Sequence, residues 1–258
     1  MTGFRVQDVP ELRKGECQVW WASLAHRADW HTELLDQTER QRRRQYLRAA
    51  DRDIFTMGVA LNRLVLAEQL GIHPASVPLD RTCARCGKPH GRPHLGTGAA
   101  LDFSISHSGD LIALAVTRNE AGARRAVGLD VEQISAAIAG QAPVDIALSP
   151  AELIEFRQLS ITAQPMAFFR YWVRKEAVLK ATGDGLRVPM THLTLSGPDQ
   201  PPRLTEWQGR PAFPDSVAIH DLKVKPGYAA ALAIIGRDAV VACHDSAVLV
   251  GKPRLWHG

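Results

Sequence analysis

Apolar residues recur along the chain at two spacings, which predict its helices and strands. Met57, Leu61, Leu64 and Val65 recur at helical spacing, and Gly71 follows them as a stop signal. Four polar residues lie off this stripe: Asn62, Arg63, Glu68 and Gln69. The pattern therefore predicts an amphipathic helix that ends at Gly71.

Two further helices are indicated by their end signals. Residues 149–152 read Ser-Pro-Ala-Glu, in which serine caps a helix, proline takes its first position and glutamate stands three residues after the cap. A helix is also predicted over residues 165–182, because Gly183 follows its last periodic residues.

Short apolar runs bounded by turn residues predict strands, over residues 103–106, 111–116, 126–132 and 227–236. Helices and strands follow one another too irregularly for a doubly wound sheet, so the pattern favours an α+β fold. We place a division near residue 118. It gives an N-terminal half of residues 1–118 and a C-terminal half of residues 119–258.

Composition narrows the class of protein. Of the 258 residues, 45% are hydrophobic and 22% charged, which excludes a disordered chain and a disulfide-stapled miniprotein. No apolar run approaches the roughly 18 residues of a membrane helix, and no apolar leader is present. Four cysteines suggest no disulfide framework, so we expect a reduced, cytoplasmic protein. The net charge of +4 favours acidic or phosphorylated partners without demanding nucleic acid.

Two carboxylates stand at positions i and i+2 of the strand predicted over residues 126–132. Asp130 and Glu132 share one face, since side chains alternate across a strand. Like charges on one face cost energy unless a cation lies between them, and Mg²⁺ prefers oxygen ligands of this kind. The alternative is an edge strand whose charged face meets water.

The helix predicted over residues 165–182 carries a second candidate group. Trp172, Glu176 and Lys180 lie at i, i+4 and i+8 and so form one stripe. Glu176 and Lys180 are either a solvent-exposed ion pair or a third metal-binding carboxylate beside a lysine directed at phosphate oxygens.

Ser106 and His107 lie where a predicted strand meets a turn. Adjacent residues point to opposite faces of a strand, so this serine and histidine do not pair readily as nucleophile and base. The chain also lacks a Gly-x-Ser-x-Gly elbow, which argues against a serine hydrolase. Phosphate binding by His107 and its neighbouring hydroxyls is the better chemistry, and a histidine satisfied within the core is the alternative.

Three segments occur in a fixed order: SISHSGD at 104–110, VGLDVE at 127–132 and YWVRKEAVLKATGDGL at 171–186. Together they resemble the Sfp-type 4′-phosphopantetheinyl transferases. The resemblance implies transfer of the phosphopantetheine arm of coenzyme A to a serine of an apo acyl or peptidyl carrier protein, with release of adenosine 3′,5′-bisphosphate. It also implies an α+β intramolecular pseudo-dimer, a monomer in which two similar halves share the active site at their interface.

The family's site residues carry over to matching positions of this chain. The Mg²⁺-binding acids correspond to Asp130, Glu132 and Glu176. Asp130, Glu176 and Lys180 would be catalytic, with Lys180 near the pyrophosphate. Coenzyme phosphates would be contacted by a further set: Ser106, His107, Arg92, and Arg42 and Arg48 in the arginine-rich segment.

A cysteine- and histidine-rich turn leaves another possibility open. Cys83, Cys86 and His90, with His94 beyond them, offer ligands for a structural Zn²⁺. Such a knuckle beside an arginine-rich helix would suit a nucleic-acid-binding module, but the modest charge and few aromatic residues speak against it. A Mg²⁺-dependent phosphodiesterase would use the same acids without a carrier protein.

Overall fold

A computed structural model of the chain describes residues 8–82, 86–88, 91–96, 98–119, 125–134 and 143–251. Its strands are β1 (Glu16–Ser23), β2 (Leu101–Ser108), β3 (Leu111–Arg118), β4 (Ala126–Gln133), β5 (Leu193–Leu195), β6 (Leu204–Trp207), β7 (Val217–Asp221), β8 (Tyr228–Ile235) and β9 (Val240–Asp245). Its α-helices are α1 (Gln37–Gln45), α2 (Ala49–Leu70), α3 (Val144–Ala147), α4 (Pro150–Gln158), α5 (Gln164–Thr182) and α6 (Ala247–Gly251). Within the described ranges, no helix has the length and apolar character needed to cross a membrane.

The chain divides into two compact units. The first comprises Met1–Leu101, Ile105–Arg118 and Val240–Gly258, and the second comprises Asp102–Ser104 and Asn119–Ala239. This division and the predicted halves both have a break after residue 118, but in the structure the C-terminal segment belongs to the first unit. Helices and mixed sheets confirm the predicted α+β class, whereas the pseudo-dimer stays a prediction.

The first unit is built on a four-stranded sheet in the order β2-β3-β1-β9. Strand β1 pairs antiparallel with β3 and parallel with β9, so that Trp20 has Leu114 on one side and His244 on the other. Helix α2 packs on β3 and buries the predicted apolar stripe. Gly71 adopts a φ of 66° after its last turn, which confirms the predicted stop.

The polar residues outside the apolar stripe of α2 are not all on the surface. Asn62, Arg63 and Gln69 are buried together with the stripe. Helix α2 is therefore enclosed on more than one face. Spacing alone does not reveal this, because the polar partners of Arg63 and Gln69 come from other parts of the chain.

The second unit contains an antiparallel sheet in the order β4-β8-β7 and a ribbon of β5 and β6. In this sheet Asp130 lies opposite Ala231, and Glu132 lies opposite Ala229. Helix α5 packs across β4 and β8. The small side chains of β8 are buried in the core beside the helix and let it approach the sheet closely.

The helix ends of the second unit follow the local signals. Ser149 Oγ accepts a hydrogen bond from the N–H of Glu152 (3.4 Å), and Glu152 Oε2 accepts one from the N–H of Ser149 (2.7 Å). Gly183 adopts a φ of 73° after the last turn of α5. Both predicted helix ends are confirmed, since capping depends on residues close in sequence.

Candidate active site

A close approach between β4 and α5 sets the geometry of the acidic site. Residues 128, 130 and 132 share one face of β4 because side chains alternate along a strand. A Cβ at Gly128 would lie 1.9 Å from the carbonyl oxygen of Ala177 and 2.4 Å from the nitrogen of Ala181. Only glycine permits this contact, which turns the acidic face of the strand toward the helix.

Strand β4 lies at the edge of its sheet, but side chains satisfy that edge. Asp102 Oδ2 accepts a hydrogen bond from the N–H of Val127 (2.8 Å), and Ser104 Oγ accepts one from the N–H of Leu129 (3.0 Å). Asp130 is only 3% exposed. The alternative of an acidic face turned to water is therefore wrong for Asp130.

Helix α5 presents its predicted stripe beside these acids. Trp172, Glu176 and Lys180 are all partly exposed on a helix whose neighbouring positions are mostly buried. Lys180 Nζ donates to Asp130 Oδ1 (2.6 Å) and to the carbonyl oxygen of Leu129 (3.2 Å). The lysine thus links helix to strand, which a solvent-exposed pair with Glu176 alone would not do.

The three carboxylates influence one another. Burial raises the pKa of Glu176 most, the negative charges of Asp130 and Glu132 raise it further, and Lys180 acts in the opposite direction. Glu176 is thus close enough to both other acids to be repelled by them. A carboxylate with a raised pKa is a stronger base, which suits a proton acceptor near neutral pH.

The donor chemistry of this site fits Mg²⁺. Oxygen ligands are those Mg²⁺ prefers, and it commonly takes only one or two protein carboxylates together with water and substrate phosphates. Within the described ranges, no three His, Cys, Asp or Glu side chains form a closed metal-binding group. In this structure the Asp130 carboxylate instead binds the ammonium group of Lys180. Asp130, Glu132 and Glu176 would hold the cation as a partial set of ligands that phosphate and water complete.

Ser106 and His107 lie in the first unit, on β2. Ser106 is buried and His107 is exposed, as expected for adjacent residues on opposite faces of a strand. Arg92 lies in the same unit and is half-buried. The exposed His107 is inconsistent with a histidine satisfied within the core.

A cavity of about 640 Å³ in the first unit brings two arginines together. Arg42 and Tyr46 line it from α1 and the residue that follows the helix, while Leu79 and Arg81 line it from a second segment of the chain. Burial lowers the pKa of Arg81 and the positive charge of Arg42 lowers it further, while Glu39 and Tyr46 act in the opposite direction. Asp36, Glu39 and Asp80 also line the cavity, and Asp36 and Glu39 pair with Arg63. An anionic ligand would relieve the remaining repulsion between Arg42 and Arg81.

Only one of the two arginines predicted to bind phosphate in the arginine-rich segment lines the cavity. Arg42 lines it, whereas Arg48 is exposed at the start of α2 and does not.

Arg81 was missed in the sequence because a single arginine in a turn-rich segment has no periodic signal. Gly128 was missed too, although a glycine inside an apolar strand signals a close backbone approach.

Comparisons with known proteins agree on one family. The family model described as the 4′-phosphopantetheinyl transferase superfamily matches residues 126–233, and that described as the N-terminal part of 4′-phosphopantetheinyl transferase matches residues 19–119. The 4′-phosphopantetheinyl transferase HetI of Nostoc sp. is 30% identical over 207 residues, 79% of this chain and 74% of HetI. The chain belongs to the 4′-phosphopantetheinyl transferase family.

Two further relatives align with a smaller part of the chain. A phosphopantetheinyl transferase of Thraustochytrium sp. is 33% identical over 165 residues, which are 59% of this chain and 54% of the relative. A 4′-phosphopantetheinyl transferase of Bacillus subtilis is 26% identical over 160 residues, 61% of this chain and 64% of the relative. The match thus spans less than two thirds of the length of either of these two proteins.

In this phosphopantetheinyl transferase a second buried charge fixes the rotation of α5. Lys175 precedes Glu176 and is fully buried on a different face of the helix. Its Nζ donates to the carbonyl oxygens of Ala147 (2.7 Å) and Met190 (3.0 Å) and forms an ion pair with Glu152 (2.5 Å). Burial lowers the pKa of Lys175, while Glu152 raises it. These contacts tie down the back of the helix that presents Glu176.

The predicted zinc ligands of this transferase fall largely outside the described residues. Cys83 and His90 are not among them, and Cys86 is exposed. His94 is described, and its Nδ1 accepts a hydrogen bond from the N–H of Gly96 (3.0 Å). Structural Zn²⁺ at Cys83, Cys86 and His90 stays a prediction.

Proposed function

We propose that this phosphopantetheinyl transferase moves the 4′-phosphopantetheine arm of coenzyme A to a serine of an apo acyl or peptidyl carrier protein. The reaction is Mg²⁺-dependent and releases adenosine 3′,5′-bisphosphate. The observation that carries the proposal is the facing arrangement of β4 and α5, in which Asp130 binds Lys180 and Asp130 and Glu132 raise the pKa of Glu176.

The side chains of this site divide the chemistry among them. Glu176, or a water that it orients, accepts the proton of the carrier serine as the serine Oγ bonds to the phosphorus on the pantetheine side of the pyrophosphate. The bond from that phosphorus to the bridging oxygen breaks, and Lys180 stabilises the charge on the departing oxygen. Asp130 and Glu132 would hold Mg²⁺, which would supply charge neutralisation for the pyrophosphate.

The coenzyme's remaining phosphates are assigned to the first unit. Arg42 and Arg81 in the cavity would bind the 3′-phosphate, because paired guanidinium groups recognise phosphate oxygens with strong, directed hydrogen bonds. We propose His107, Ser106 and Arg92 as further phosphate contacts. Arg48 receives less support, since it is exposed and lies outside the cavity.

The proposal of an acidic carrier protein as the partner is supported by the net charge of the chain. The net charge of +4 complements a carrier protein that is acidic around its serine, and nothing in the described site calls for nucleic acid or a membrane. A monomeric state and a cytoplasmic location stay predictions from the sequence.

Intact-mass analysis tests the proposal. An apo carrier protein incubated with coenzyme A, Mg²⁺ and this enzyme should gain the mass of one phosphopantetheine group, and omission of Mg²⁺ should abolish the gain. Glu176→Gln should abolish it too, while Glu206→Gln, an exposed glutamate on β6, should not. Coenzyme A hydrolysis without any acceptor, and no mass gain on any carrier tested, would instead support a phosphodiesterase.

A further inference from the structure

Arg63 is a buried cation that lies behind the cavity of the first unit. Its side chain is 1% exposed and does not line the cavity itself. A guanidinium group carries five N–H donors in a fixed plane, so a single buried arginine is able to fasten several chain segments at once.

One side of the Arg63 guanidinium holds helix α1. Its Nε donates to Glu39 Oε2 (3.0 Å), and its Nη2 donates to Asp36 Oδ2 (2.9 Å). The same two acids cap α1, because Asp36 Oδ1 accepts from the N–H of Glu39 and Glu39 Oε2 accepts from the N–H of Asp36. Arg63 thereby fixes the start of the helix that carries Arg42.

The other side of the guanidinium holds a second chain segment. Nη1 donates to three carbonyl groups within residues 74–77, those of Pro74 (2.9 Å), Ala75 (3.2 Å) and Val77 (3.4 Å). This segment leads directly to Leu79 and Arg81, which also line the cavity. A single planar group therefore holds together the two chain segments that lead to the cavity lining.

We propose that Arg63 is the positioning residue of the coenzyme's 3′-phosphate site, which it serves by holding Arg42 and Arg81 at the spacing that one phosphate bridges. This inference rests on the proposed function. It predicts that a change at Arg63 impairs recognition of the 3′-phosphate selectively and spares the rest of the coenzyme. A lysine cannot substitute, since one ammonium group does not reach both chain segments.

Titration calorimetry with coenzyme A and with dephospho-coenzyme A, which lacks the 3′-phosphate, separates these effects. The unaltered enzyme should bind coenzyme A at least about tenfold more tightly than dephospho-coenzyme A, as expected when charge-assisted hydrogen bonds hold the 3′-phosphate. Arg63→Lys should weaken coenzyme A binding about tenfold and dephospho-coenzyme A binding less than about twofold, so the preference largely disappears. Equal weakening of both ligands, or no weakening of either, would overturn the positioning role.

A matched control is Arg174→Lys. Arg174 is equally buried and donates to Asp221 and to the carbonyl groups of Gly197 and Pro198, but it belongs to the second unit. Its change should leave the preference ratio unaltered. If the unaltered enzyme showed no preference for coenzyme A, the phosphate assignment in the proposed function would fail before any variant was compared.

A second variant decides the matter if Arg63→Lys does not fold. In Asp36→Ser, serine still caps α1 but no longer pairs with Arg63. Loss of a carboxylate from a phosphate-binding cavity would strengthen coenzyme binding if charge alone mattered. The positioning role predicts the opposite sign, a weakening of about threefold. Unchanged or tighter binding of coenzyme A would contradict the proposal.

Discussion

In the cavity of the first unit and in the acidic site of the second, a neighbouring group of like charge shifts a pKa, and the two shifts run in opposite directions. In the cavity, burial and the neighbouring Arg42 both lower the pKa of Arg81. In the acidic site, burial and the neighbouring Asp130 and Glu132 raise the pKa of Glu176. Arg81 and Glu176 are therefore each disfavoured in their charged form. Under the proposed function, a phosphate would relieve this cost at Arg81 and a metal cation would relieve it at Glu176.

The two regions also differ in how their chain segments are held. Arg63 ties two separate segments together through carboxylates and backbone carbonyl groups. Lys175 instead anchors the back of one helix, which presents the functional residues on its other side. The cavity therefore depends on how two chain segments are held together, whereas the acidic site depends on the rotation of a helix against a strand.

Removal of the proposed base should have the largest effect of the changes considered. Glu176→Gln should lower kcat for transfer to a carrier protein about a thousandfold, the scale of a lost general base. It should not weaken coenzyme A binding, because the cavity of the first unit is untouched. Steady-state transfer assays and calorimetry measure the two effects. Glu206→Gln on β6 is the control, and a Glu176→Gln variant with near-normal kcat would remove the role assigned to the acid.

A second variant, Gly128→Ala, tests whether the close contact between β4 and α5 sets the geometry of the acidic site. Gly128→Ala would place a methyl group 1.9 Å from the carbonyl oxygen of Ala177, so β4 and α5 must move apart. We expect a loss of about 2–3 kcal/mol in the free energy of unfolding. Misplaced groups in a site of this kind also lower kcat about a hundredfold. Urea denaturation and transfer assays report both quantities.

Gly197→Ala is the matched control for the strand variant. Its added Cβ would meet nothing closer than the flexible side chain of Gln200, at 3.4 Å. We expect a change within about 0.5 kcal/mol. Similar destabilisation by both alanines would mean that the close approach of β4 to α5 does not set the geometry of the site.

A change in the cavity should affect KM rather than kcat, the reverse of what is expected for Glu176→Gln. Arg81→Gln removes one of the two cations, so the KM for coenzyme A should rise about tenfold while kcat at saturating coenzyme is largely kept. Arg203→Gln, an exposed arginine between β5 and β6, provides the control. A fall in kcat without a change in KM would assign Arg81 to the chemical step and erase the contrast between the two regions.

Much of this architecture was predictable because its signals are local. The capping box at Ser149, the stop glycines after α2 and α5, and the stripe of Glu176 and Lys180 depend on residues within a few positions of one another. Alternation along a strand likewise placed Asp130 and Glu132 on one face. Each of the three motifs that carry the family resemblance is also local, so their order is readable from the sequence alone.

The unpredicted features all depend on partners far apart in sequence. The burial of Arg63 requires carbonyl groups that lie 11 to 14 residues later and acids that lie 24 and 27 residues earlier. The ion pair of Asp130 with Lys180 spans 50 residues. Periodicity describes one element at a time, so it does not reveal which charge another element brings to it.

The smallest expected effect is a change in the thermal stability of the Glu176→Gln variant. Its direction tests whether Glu176 is repelled by the neighbouring carboxylates. Because the pKa of Glu176 in the folded protein lies above the ordinary value of 4.5, the folded state holds that proton more strongly than the unfolded state does. The stabilising contribution is complete below pH 4.5 and is lost as pH rises through the raised pKa, so the ionised Glu176 destabilises the fold near neutral pH. Glu176→Gln should therefore raise the Tm at pH 7.5 by a few degrees, since about 1 kcal/mol shifts a chain of this size by roughly 2–4 °C.

Two further measurements turn that shift into a test of the acidic site. The difference in Tm between Glu176→Gln and the unaltered enzyme should narrow as the pH falls toward 4.5, where both carry a neutral side chain. Added Mg²⁺ should raise the Tm of the unaltered enzyme more than that of the variant, because the cation relieves repulsion that the variant has already lost. A variant that is less stable than the parent at pH 7.5 would show that Glu176 is not repelled by its neighbours, and the contrast of charge between the two regions would not hold.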